Sequence, residues 1–160
     1  MRHNSWSVNR SGPIVESESG MKRYLVFAIV GPFLGGFMLL LATTYQSGYW
    51  TDTSAAEVAK FLAVFFKSLQ YNYLFGLLPA LLIGAVEDIL FHVKRIGLVL
   101  RIGLVGAIAF VLAAVLYGSR GSDSGLLQFI LFGMVGLIPA VLSTWLVHRF
   151  VEEPQPLQAT

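Results

Sequence analysis

Apolar residues in this chain gather in four long blocks that carry no charged side chain: 24–51, 68–86, 102–119 and 124–147. Charged residues are confined to the seams between them and to the flanks before the first and after the last. A helix rises about 1.5 Å per residue, so about 20 largely apolar residues cross a hydrocarbon layer of roughly 30 Å. Each block reaches or comes close to that length. The pattern predicts an all-α protein, an integral membrane four-helix bundle with spans at about 24–45, 69–91, 98–117 and 126–147.

The seam between the first two blocks is the longest and has a pattern of its own. Ser54-Ala-Ala-Glu57 reads as a capping box, in which the serine oxygen accepts from an early amide and the glutamate sits three residues on. Phe61, Leu62, Val64, Phe65 and Phe66 follow, flanked by Lys60 and Lys67. Residues 54–68 are therefore expected to form an amphipathic helix that lies on the outer surface or extends the second span outward. The stretch 1–20 is rich in polar residues without apolar periodicity and is expected to be a disordered tail; Met21-Lys22-Arg23 after it reads as an alternative start. The membrane domain runs over 21–153, and 154–160 is expected to be a second disordered tail.

A short repeat links the second and fourth spans. Gly76-Leu-Leu-Pro-Ala-Leu-Leu recurs as Gly136-Leu-Ile-Pro-Ala-Val-Leu, 60 residues later, which suggests two repeated helical hairpins. Its small residues recur every four positions, as Gly76, Ala80 and Gly84 and as Gly136, Ala140 and Thr144. Gly31 with Gly35, and Gly103 with Ala107, make the same strip in the other two spans. Such strips let helix backbones approach closely in lipid, so they are expected to be helix-packing faces. Pro79 and Pro139 break their helices near mid-span, each removing the donor for a carbonyl four residues earlier, at Phe75 and Val135.

Composition agrees with the pattern: 56% of residues are hydrophobic and 12% charged, against roughly 25% charged in a soluble domain. The net charge of +2 comes from residues at span ends and forms no basic patch, so nucleic acid is not an expected partner. Eight of the eleven Lys and Arg residues fall on one side of the expected threading and Lys60, Lys67 and Arg120 on the other. The positive-inside rule then places both termini in the cytoplasm (N-in, C-in). Tyr45, Tyr49, Trp50, Tyr71, Tyr73 and Tyr117 fall near the outer interface, where amphipathic rings settle. The chain has no cysteine, which excludes disulfides, thiolate metal sites and cysteine nucleophiles.

Little polar chemistry remains. Continued inward, the four-residue strips reach Asp88 in one helix and His148 in the other. If the two repeat helices packed through their small faces, this pair would meet at the cytoplasmic end. Glu87 lies about 100° from Asp88 around the helix, and His92 is four residues beyond Asp88 on its face. A carboxylate–imidazole pair in a partly dry site can relay protons or bind a metal, because imidazole titrates near neutral pH. The bland alternative is an ion pair or a solvated helix end, since such side chains can reach water at the interface. No nucleophile elbow, phosphate loop or His-x-x-x-His pair is present. No enzymatic activity, no cofactor and no resident metal are expected.

The runs Met21-Lys-Arg-Tyr-Leu-Val-Phe-Ala-Ile-Val-Gly-Pro-Phe-Leu-Gly-Gly, Tyr45-Gln-Ser-Gly-Tyr-Trp-Thr-Asp and Glu87-Asp-Ile-Leu-Phe-His resemble an uncharacterised family of small four-span inner-membrane proteins of alphaproteobacteria, a domain of unknown function. The resemblance covers about 21–153 and implies a setting but no activity. The leading expectation is an accessory or assembly component of a larger membrane complex, in contact with the lipid bilayer and with a protein partner or a second copy through small-residue helix faces. The alternative is a small oligomeric transporter or channel, with Pro79 and Pro139 along its pathway and Asp88 and His148 gating it.

Overall fold

The computed structural model describes residues 12–51, 54–93, 96–118 and 125–152. Four helices follow one another: α1 (Gly12–Gln46), α2 (Ala55–His92), α3 (Leu98–Gly118) and α4 (Leu126–Val147), the last continuing into a π-helical turn, His148–Glu152. All four are long and apolar enough to cross a membrane. The bounds of α3 and α4 fall within a residue of those read from the apolar pattern. Those of α1 and α2 reach further toward their N-termini.

Both extensions have a local cause. Helix α1 begins at Gly12, inside the stretch expected to lack structure. Pro13 suits a first helical turn, and adding residues to an established helix avoids the cost of nucleation. Residues 1–11 and 153–160 lie outside the described residues, as do Lys94, Arg95 and 119–124. Helix α2 opens at Ser54, whose side chain accepts from the Glu57 amide at 3.4 Å. The 54–68 segment is thus the first four turns of α2 and not a separate surface helix. Phe61 and Phe65, 5% and 2% exposed, pin it to α1 through edge-on contacts with Phe33 and Phe37. Trp50 joins from the connecting turn, packing on Phe61 and donating to the Thr44 hydroxyl. That turn is permitted by Gly48, whose φ of 74° is costly for any residue with a Cβ.

Packing follows the small residues. A Cβ added to Gly31 would lie 2.7 Å from the Ala80 Cβ, and one on Gly76 would lie 3.3 Å from Pro32. Helices α1 and α2 are therefore in backbone-to-backbone contact. In the second hairpin, Gly136 lies against the Ala109 carbonyl and Ala113, and Gly133 against the Phe110 ring. The repeated motifs thus do equivalent work, each holding its helix against the preceding one. They do not face each other, because each small face is already occupied within its own hairpin, and α2 and α4 barely touch.

The hairpins are joined through α1 and α4, where Ala42, Phe132 and Val135 form a buried cluster with Met38 and Leu39. Contact between α2 and α3 is sparse by comparison. A repeat with full two-fold symmetry would make these two junctions alike. Here one is closed and the other open.

Candidate functional site

The open junction leads into a cavity of about 360 Å³ bounded by all four helices. Its wall is built from the residues that keep the helices close or break them: Gly31, Gly35, Gly76 and Gly136, with Pro32, Pro79 and Pro139. A glycine leaves no side chain to fill the interior, and a proline prevents the straight helix that would close it. Phe75 on α2 and Leu116 on α3 line the cavity while being 72% and 42% exposed, so the mouth lies between those two helices. Asn72 contributes an amide to the wall, and Ser143 a hydroxyl. Ser143 is fully buried and its Oγ has no hydrogen-bond partner among the described residues. Its neighbour Thr144 donates to the Ala140 carbonyl at 2.9 Å, the usual way a helical hydroxyl is satisfied.

One helical turn beyond the cavity the interior becomes ionic. Phe27, Ile83 and Ser143 line the cavity. Continuing along their helices brings Arg23 on α1, Glu87 on α2 and His148 at the end of α4, with Arg101 at the start of α3. Glu87 is completely buried, and Arg23 and Arg101 are each 4% exposed. Arg101 places Nε 3.4 Å from Glu87 Oε1 and an NH2 group 2.8 Å from Glu152 Oε2. Arg23 reaches Glu152 Oε1 at 3.4 Å and Asp88 Oδ1 at 3.5 Å. His148 Nδ1 lies 2.9 Å from Glu152 Oε2. Both guanidinium groups also lie over the Phe91 ring, at 3.3 and 5.2 Å from its centroid. The cluster matches three carboxylates to two guanidinium groups, with the His148 imidazole beside Glu152.

Glu152 is the hub, and the π-helical turn puts it there. The i, i+4 step from His148 to Glu152 keeps both side chains on the strip that runs up α4 through Gly136, Ala140 and Thr144. Four chain segments converge on this one carboxylate, directly or through one guanidinium. Burying these charges is costly, and the cost is offset only by mutual pairing, so loss of one member strands another. The arrangement can hold one end of the bundle together and close the cavity floor against ions and water. Among the described residues, no group of three His, Asp or Glu side chains is disposed to hold a metal ion.

The sequence candidates fall into this network unevenly. Asp88 and His148 are joined through Arg23 and Glu152, with Asp88 paired to Arg23 and His148 to Glu152. The direct approach expected of them required the small faces of α2 and α4 to meet, and those faces are turned to α1 and α3. Glu87 is the buried carboxylate, whereas the Asp88 side chain is 27% exposed. His92 is 71% exposed in its side chain and lies 2.8 Å from the Asp88 carbonyl of its own helix. Pro79 and Pro139 both border the cavity, and Pro32 is a third break that the sequence reading did not single out. Arg23, Arg101 and Glu152 were also missed as site residues. Extending the four-residue strips further would have found two of them, since Gly31 leads through Phe27 to Arg23, and Thr144 through His148 to Glu152.

No curated protein and no solved structure shows significant similarity to the chain. A family model described as a family of unknown function, DUF5413, matches residues 21–153, the stretch that carries all four spans and the ionic cluster up to Glu152. This chain is a multi-pass helical protein by its four apolar helices, and it belongs to the DUF5413 family.

Proposed function

We propose that the protein is a non-enzymatic accessory or assembly component of a larger complex in the bacterial inner membrane, with both termini in the cytoplasm and the ionic cluster at the cytoplasmic end. One observation carries this reading. The strips on α1, α2 and α4 are used up inside the bundle, but the one on α3 is not. A Cβ on Gly103 would meet nothing within 4 Å, and Ala107 one turn on is exposed. Large apolar side chains flank them: Leu100, Leu104 and Val111 are 56%, 37% and 59% exposed. A small strip between such residues is the kind of face on which another transmembrane helix packs.

The test is Gly103→Ile, compared with the wild type by native mass spectrometry after extraction from the membrane in mild detergent. The accessory reading expects the co-extracted partner to be lost while the four-helix monomer keeps its melting temperature. Retention of the partner by Gly103→Ile would remove this face from the reading.

The second reading, a small oligomeric transporter or channel, is favoured by a different observation. Three mid-span prolines border one cavity, and a buried charged cluster forms its floor. Broken helices beside a midplane cavity are a feature of membrane carriers. In that reading Asp88 and His148 act through Arg23 and Glu152 and do not touch each other, and Asp88→Asn abolishes flux in reconstituted vesicles without changing stability.

A further inference from the structure

The cavity has a property that neither reading uses: its polar groups are few, and the one fully buried among them is left without a partner. Ser143 Oγ is unpaired although the residue is fully buried. Leaving a buried hydroxyl unpaired costs about 1–3 kcal/mol, so such groups normally find a donor or acceptor. Proline removes two further pairings on the same wall, because the carbonyls of Phe75 and Val135 lose their helical donors to Pro79 and Pro139. Everything else lining the space is apolar or glycine apart from Asn72 and the tyrosines Tyr71 and Tyr117, which lie toward the far end.

The position of these features defines what would fit. Along α1 and α2 the lining runs from Phe27 to Leu39 and from Ile83 to Tyr71, roughly 18 Å at 1.5 Å per residue. The mouth opens sideways between α2 and α3, at the depth of the hydrocarbon layer. Water entering there would meet an almost wholly apolar wall. The ionic floor closes the polar end, with Ser143 little more than a turn above it. Lipid esters lie just beneath the headgroups, at that same depth near the charged end of the bundle.

We propose that this cavity binds one acyl chain of a membrane lipid, admitted sideways between α2 and α3, with the ester carbonyl accepting a hydrogen bond from Ser143. The chain occupies the space between Pro32, Pro79 and Pro139 and runs toward Tyr117. Binding fills a volume within the 300–1,000 Å³ range of ligand pockets and satisfies the orphaned hydroxyl. The inference is independent of the docking face on α3, so either can fail without the other.

The experiment uses the full chain in phosphatidylcholine vesicles containing a small fraction of phosphatidylcholine with a diazirine on one acyl chain. After illumination, adducts are mapped by peptide mass spectrometry. Adducts at cavity residues such as Ala80, Ile83 and Leu112 are expected to exceed those at Leu74, Leu78 and Leu82 on the outer face of α2 by fivefold or more. Leu112→Trp, which fills the space, should reduce cavity adducts at least fivefold and leave outer-face adducts unchanged. Ser143→Ala, a smaller change that preserves the fold, should reduce them about threefold or more. Equal labelling of cavity and outer face would overturn the proposal, as would cavity adducts that survive Leu112→Trp in a protein with wild-type helicity. Exclusion of the probe from the cavity by a second chain, seen as protein–protein cross-links at the same positions, would also overturn it.

Discussion

At the scale of single residues, the molecule is sensitive where glycine or charge is enclosed and tolerant where the same residue types face outward. Gly136 and Gly103 make the comparison. A methyl group on Gly136 would run into the Ala109 carbonyl, whereas one on Gly103 would meet open space. Gly136→Ala is expected to lower stability by about 1–3 kcal/mol through overpacking, measured by thermal unfolding in detergent. Gly103→Ala should be neutral or stabilise by up to about 1 kcal/mol, because alanine restrains the unfolded chain more than glycine. The charged cluster offers a second contrast. Arg101→Ala removes the ion-pair partner of Glu87, a fully buried carboxylate, and should cost about 3–5 kcal/mol. Adding Glu87→Ala should return part of that loss, since the stranded charge is gone. A double-mutant cycle with no coupling between the two would show that the pair does not act as one unit.

At the scale of elements, the apolar blocks predicted how many helices there are and where α3 and α4 begin and end, because block length is set by hydrocarbon thickness. What the pattern could not give was the direction each helix faces. Helices that are apolar all round have almost no preferred side, so the neighbours of Gly76 and Gly136 could not be deduced from their spacing. Arg23 and Arg101 likewise looked like topology signals, since a basic residue at a span end serves that purpose whether or not it turns inward. Only the chain path shows that Glu152, 51 residues beyond Arg101, closes the pair. The aromatic contacts that anchor the start of α2 were equally invisible, because they join Phe61 and Phe65 to a helix that precedes them by a whole connecting turn. Phe65→Ala is therefore expected to loosen the first turns of α2 selectively. Hydrogen exchange over 55–64 should speed up about tenfold or more, equivalent to about 1.4 kcal/mol of local stability, while exchange in α3 and α4 stays unchanged. Uniform acceleration along the whole chain would mean that this end is not a separate unit.

At the scale of the whole molecule, orientation can be read directly because the chain contains no cysteine. Ser47→Cys, in the turn after α1, should react with a membrane-impermeant maleimide in spheroplasts, and Gly20→Cys only after lysis; the reverse pattern would invert the proposed topology. The closed junction between α1 and α4 has a further consequence, for how the molecule is made. A ribosome delivers α1 first and α4 last, yet these two are neighbours, and Arg23 waits for Glu152, which lies 129 residues later. Until synthesis reaches the end of the fourth span, the first hairpin sits in the bilayer with a guanidinium group lacking one of its two carboxylates and with an unoccupied flank. A nascent chain halted after α3 should then be a substrate for membrane quality-control proteolysis, cleared several times faster than the finished protein in a pulse-chase experiment. Arrival of Glu152 would act as the checkpoint that separates an open intermediate from a closed bundle.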